Sequence, residues 1–152
     1  MITIQEIRKQ AESLVQERNN EAADLSYKQA LEGAIEINDA QLFSTIGRSG
    51  SIYEGIYGLK DIVKLVMEAC ERAVQLEPSK PAYHDTRALA RALTGNYTGA
   101  IEDLEKSMED PAYRNPATST GQLQKHENWI KILRDEKKIP LTKQYSKVLL
   151  DR

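Results

Sequence analysis

Only one cysteine, Cys70, stands in the 152 residues, so an internal disulfide and any multi-cysteine zinc site are excluded. A lone thiol is consistent with a reducing compartment, and the expectation is a cytoplasmic protein. Aromatic residues are scarce at 6%, and seven of the nine are Tyr, so a core must be built mainly from Ala, Leu, Ile and Val. Small aliphatic residues suit close-packed helices better than a sandwich. No apolar run approaches the roughly 18 residues of a membrane span, and the start, MITIQE, lacks the basic, apolar and small-residue regions of a signal peptide. No membrane partner is expected.

Charge is present in both signs but unevenly placed. The net charge is −2, yet residues 113–152 carry 9 Lys and Arg against 4 Asp and Glu, whereas residues 1–112 carry 12 against 19. A basic end of this kind offers two readings: a solvated face on a capping helix, or a surface for nucleic acid or an acidic partner. Its aromatics are only Tyr113, Trp129 and Tyr145, with Trp129 expected in the core, which disfavours nucleic acid.

What the sequence does have is helical periodicity. Thr3-x-x-Glu6 is a capping box opening a helix over about 3–18, with Ile4, Ile7, Ala11 and Leu14 on one face. Asn19-Asn20 turns the chain into a second helix with Ala23, Tyr27, Ala30, Leu31 and Ala34, ending near Ile37-Asn38. Asn38-x-x-Gln41 starts a third, carrying Leu42, Phe43, Ile46 and Gly47. Four of the eight glycines fall between Gly47 and Gly58, so this helix is expected to fray around 52–56 into an extended connection. A fourth helix runs from about Asp61 to Leu76, stopped by Glu77-Pro78.

Pro81 to Pro111 reads as a complete hairpin. Ala88, Leu89, Ala92 and Leu93 line its first helix, and Gly95-Asn96 forms the turn. Tyr97, Ala100, Ile101, Leu104 and Met108 line its second, with Glu102, Asp103, Glu105 and Lys106 expected to face outward. Residues 110–121 read as a long loop. Ser119-x-x-Gln122 caps a further helix containing Leu123, Trp129, Ile130 and Leu133, and Thr142 can start a short last one using Tyr145, Val148 and Leu149.

Three helix pairs at a period of about 35–45 residues indicate a solenoid. The chain resembles tetratricopeptide repeats, whose unit favours a large residue and Leu-Gly in helix A, Gly-x-Tyr at the turn, small and aromatic residues in helix B and a closing Pro. Ala88, Gly95, Tyr97, Ala100, Leu104, Ser107 and Pro111 carry the match in the third pair; Phe43, Ile46, Gly47, Ala73, Leu76 and Pro78 carry it in the second. The second pair holds about seven extra residues. The first has Ile7, Ala11, Leu14, Ala23, Tyr27 and Ala30, without the Gly-x-Tyr turn or the Pro. The string ACERAVQLEP…DTRALARALTGNYTGAIEDLE, followed by NWIKILR and IPLT, is similar to C-terminal modules of large bacterial proteins with caspase-like, signalling-ATPase or WD-repeat domains. The resemblance implies an all-α, single-domain superhelix with repeats about 3–37, 39–78 and 81–111 and a C-terminal cap about 119–150, acting as an adaptor or regulatory module.

For chemistry the sequence offers little. His84 and His126 stand apart, with no metal-ligand spacing around either, and no catalytic residue, metal or cofactor is implied. Gly50-x-x-x-x-Gly55 superficially resembles a phosphate loop, but Ile56-Tyr57 occupies the place of Lys-Ser/Thr. Cys70 borders the apolar stripe of its helix and reads as a small packing hydrophobe. A concave groove lined by the A helices would hold a protein or peptide partner. Arg8, Arg48 and either Arg87 or Arg91 would lie along it, with Tyr53 and Tyr57 at its rim. Forked guanidinium donors suit an acidic, partly apolar segment. The competing reading pairs these arginines with Asp or Glu of adjacent helices. Glu12 stands where the carboxylate clamp of chaperone-binding repeats needs Asn, which disfavours that role.

Overall fold

The computed structural model describes residues 3–16, 20–57, 62–114 and 122–136. These are all-helical. Six long helices come in consecutive partners: α1 (Ile4–Gln16) with α2 (Asn20–Ile37), α3 (Ala40–Tyr57) with α4 (Val63–Leu76), and α5 (Pro81–Leu93) with α6 (Tyr97–Met108). α3 also packs against α1 and α5, and α4 against α2 and α5. A single turn, α7 (Pro111–Arg114), leads towards α8 (Gln122–Lys131), which widens into a π-helical turn, Ile132–Glu136, against α6.

Local signals set the ends. Thr3 N donates to Glu6 Oε2 at 2.7 Å and Glu6 N to Thr3 Oγ1 at 3.1 Å, closing the expected capping box. α2 stops at Asn38, which takes the left-handed φ of 58°. The next residue, Asp39, accepts from Leu42 N at 2.9 Å and so caps α3 in place of the expected Asn38. Pro81 opens α5 at a position whose N–H no helix needs. In the following turn Gly95 takes φ 83°, and Asn96 caps α6 by accepting from Gly99 N at 2.9 Å.

Three further expectations are corrected. α3 does not fray at 52–56: it runs unbroken through Gly47 and Gly50 to Tyr57. Those two glycines serve packing, not turning. A Cβ on Gly47 would stand 2.5 Å from Cys70 Sγ, and one on Gly50 2.5 Å from Val66 Cγ2, so their absence lets α4 lie directly on α3. Residues 111–114, expected as loop, form α7, whose first turn Asp110 caps through Ala112 N at 2.8 Å. Asp103, expected outward, is buried at 2% exposure. The Ser119 cap and the short helix from Thr142 lie outside the described residues.

Burial follows the small-residue composition. One apolar cluster joins Ala11, Tyr27, Phe43, Ile46, Val66, Cys70 and Tyr83 across α1 to α5. A second joins Ala88 and Ala92 of α5, Ala100 and Leu104 of α6, and Ile130 and Leu133, with Trp129 against it.

Candidate functional site

α1, α3 and α5 lie side by side, and α3, in the middle, is buried over most of its girth. Gln41, Thr45 and Arg48, spaced by four and three residues, form the stripe that α3 leaves partly open. At the α1 border, Glu12 receives Arg8 through an ion pair and accepts from Ser49 Oγ at 2.7 Å; Ser49 is in turn 2.6 Å from Tyr27 Oη. Arg8 thus lies on α1 one turn before Glu12, whereas Arg48, next in sequence to the serine that Glu12 holds, is turned about 100° from it around α3. Both are half-buried, and both have interactions within the chain. The side chains of Tyr53 and Tyr57 lie outside the described set.

Arg87 and Arg91 go elsewhere. His84, Arg87 and Arg91, at i, i+3 and i+7, share the side of α5 that faces α6, where Asp103 receives all three. Arg87 binds as a fork: Nη2 donates to Asp103 Oδ1 at 2.8 Å and Nε to Oδ2 at 3.0 Å. Arg91 Nη1 lies 3.1 Å from Oδ2 and also donates to the Gly99 carbonyl at 3.2 Å. His84 Nδ1 is 3.3 Å from Oδ1, while Nε2 bonds the Pro78 carbonyl at 2.6 Å. The bond with Asp103 raises the Arg87 pKa above the ordinary arginine value, against burial, which lowers it. For these two arginines the pairing alternative is the one observed.

The inward placement of Asp103 has a trace in the sequence, although its charge predicts a solvated position. Gly99, Asp103 and Ser107 recur every four residues, and Ser107 stands where the repeat resemblance has a small residue of its second helix. The three form one buried line against α5, where Ser107 Oγ donates to the Pro81 carbonyl at 2.9 Å. The corresponding side of α3 holds Phe43, Ile46 and Gly50, all buried. One pair thus closes on apolar atoms and the next on charges.

A second aspartate organises the C-terminal side. Asp85 of α5 accepts from Tyr113 Oη at 3.0 Å and lies 2.7 Å from His126 Nε2, while the Tyr113 and His126 rings meet edge to face with centroids 5.2 Å apart. This contact ties α7 and α8 to α5. Cys70 is buried, its Sγ 3.9 Å from the Thr86 carbonyl. Among the described residues no group of three or more His, Cys, Asp or Glu could hold a metal ion. No described helix is long and apolar enough to cross a membrane. No known protein-family profile matches the chain, and no curated protein sequence matches it.

Proposed function

We propose that the chain is a non-enzymatic protein-interaction module, an adaptor or regulatory unit built as a superhelix of three helix pairs similar to tetratricopeptide repeats. The observation that supports it is the side-by-side placement of α1, α3 and α5, with the stripe Gln41, Thr45 and Arg48 left accessible on the central helix. A surface made by three parallel-stacked first helices is long enough to take an extended peptide or a partner helix. Arg48 and Arg8 give it cationic character beside a hydroxyl and an amide, which matches a segment bearing carboxylates. Arg87 and Arg91 contribute to the stability of the third pair and not to this groove.

The test uses Arg48→Glu in the full chain. A partner is identified by affinity capture with the parent chain, and its affinity for both proteins is then measured by calorimetry. Reversal of charge at a contact residue should weaken binding by about tenfold or more, with the far-ultraviolet circular dichroism unchanged. Equal affinity for both proteins removes the groove from the account.

A further inference from the structure

α4 runs antiparallel to α3: the Gly50 position meets Val66, the Gly47 position meets Cys70, and the Arg72 guanidinium stands over the Phe43 ring at 5.8 Å from its centroid. One turn further along both helices, this register brings Asp39, at the head of α3, to Glu77, at the foot of α4. Tyr83 joins them. Lys80 N donates to the Glu77 carbonyl and Tyr83 N to the Lys80 carbonyl, each at 3.2 Å, so two tight turns carry the chain from Glu77 to the tyrosine. Its ring lies in the same apolar cluster as Ala40, the neighbour of Asp39.

The hydroxyl of this tyrosine is unsatisfied. Tyr83 is 4% exposed, yet its hydroxyl has no hydrogen-bond partner among the described residues, whereas a buried tyrosine ordinarily finds one. Burial, then the charge of Glu77, then that of Asp39 raise its pKa above the ordinary tyrosine value, in keeping with a phenolic oxygen that faces both carboxylates. Both acids are exposed and neither has an ion pair among the described residues; Asp39 uses one oxygen to cap α3. Lys80 Nζ lies on the face of the Tyr83 ring, 5.3 Å from its centroid, and pairs with neither. Ile37 and Leu76, the last residues of α2 and α4, adjoin the two acids in sequence and are 61% and 39% exposed.

We propose that this notch docks a basic segment of a partner protein, an arginine beside a bulky aliphatic residue. Two carboxylates and a phenolic oxygen are acceptors converging on one place, which suits the several N–H donors of a guanidinium. The buried hydroxyl then gains the partner it lacks. Charge is complementary, since Asp39 and Glu77 outweigh Lys80, and Ile37 and Leu76 offer an aliphatic side chain a surface that water otherwise wets. A metal ion fits less well, because the two acids do not belong to any group of three metal-ligating side chains among the described residues. The site does not use Arg48 and is independent of the groove.

The experiment measures binding of a fluorescein-labelled peptide of alternating arginine and leucine to the full chain by anisotropy, at about 0.15 M salt so that distant charges are screened. The parent should bind it saturably. Asp39→Asn with Glu77→Gln should weaken binding about fivefold; the asparagine amide oxygen can still cap α3, so the fold is kept. Tyr83→Phe keeps the buried ring, loses the hydroxyl alone and should cost about threefold. Glu102→Gln with Glu105→Gln, the same change of charge on exposed residues of α6, should leave affinity unchanged. An equal loss in the two double variants reduces the effect to net charge and overturns the proposal, as do an undiminished affinity in Tyr83→Phe and an absence of saturable binding by the parent. Sedimentation without peptide reads the remaining occupant: a dimer that Asp39→Asn with Glu77→Gln dissolves assigns the notch to a second copy and overturns the proposal.

Discussion

Replacing Asp103 with Ala removes the one carboxylate on which three cationic or polar side chains of α5 converge. The Asp103 side chain is 3% exposed, and those of Arg87 and Arg91 are 18% and 21% exposed. Breaking a buried ion pair from one side costs about 3–5 kcal/mol, because the remaining charge has lost its partner and is still withheld from water. Here the two guanidinium groups are not fully buried, so water can take over part of what the carboxylate supplied, and the expected cost falls to about 2–3 kcal/mol. Against a whole-domain stability of about 5–15 kcal/mol that is a large fraction. It should appear in equilibrium urea unfolding, followed by circular dichroism, as a midpoint lower by about 1 M or more, for a denaturant slope near 2 kcal/mol per M.

Glu102→Ala is the internal control. Glu102 is next in sequence but exposed, and its removal should stay within about 0.5 kcal/mol. The double cycle of Asp103→Ala with Arg87→Ala should give a coupling above about 1 kcal/mol, since the two share a forked contact. A midpoint for Asp103→Ala equal to that of Glu102→Ala would refute the reasoning, because it is what a solvated aspartate gives.

Two further outcomes follow from the contacts of α3 and α1. Gly47→Ala gains about 1 kcal/mol of helix propensity but puts a methyl group 2.5 Å from Cys70 Sγ, so thermal unfolding should show a net loss of about 1 kcal/mol or more, relieved when Cys70→Ala is added. Glu6 has its pKa lowered, first by its hydrogen bond with the Thr3 backbone and next by that with the Thr3 hydroxyl. A carboxylate whose folded value is depressed stabilises above its unfolded value and loses that contribution as pH falls through the folded one. The start of α1 should therefore loosen on acidification below the ordinary glutamate range. Amide exchange across residues 4–8 reads this, and Thr3→Ala should weaken the pH dependence.

How far these features could be read in advance depended on what each residue's pattern encodes. Periodicity located α1, α2, α5 and α6 because their apolar stripes are regular and their ends carry chemical marks: Thr3-x-x-Glu6, Asn38 and Gly95-Asn96. It failed in α3, where glycine has two opposite uses. A glycine that bends the backbone and one that admits a neighbouring helix look identical in sequence, and only the position of Cys70 and Val66 across the gap distinguishes them. It failed again at Asp103, since a charged residue on an amphipathic helix is by default a solvated one. The exception needed three residues of another helix, His84, Arg87 and Arg91, brought to the same side of α5 at i, i+3 and i+7. That information is pairwise. The same pairing bears on the groove, because an arginine whose fork is filled by Asp103 has fewer donors for a partner's carboxylate. In the proposed groove recognition would then rest on Arg48 of α3, so Arg48→Glu carries the functional test while Asp103→Ala carries the structural one.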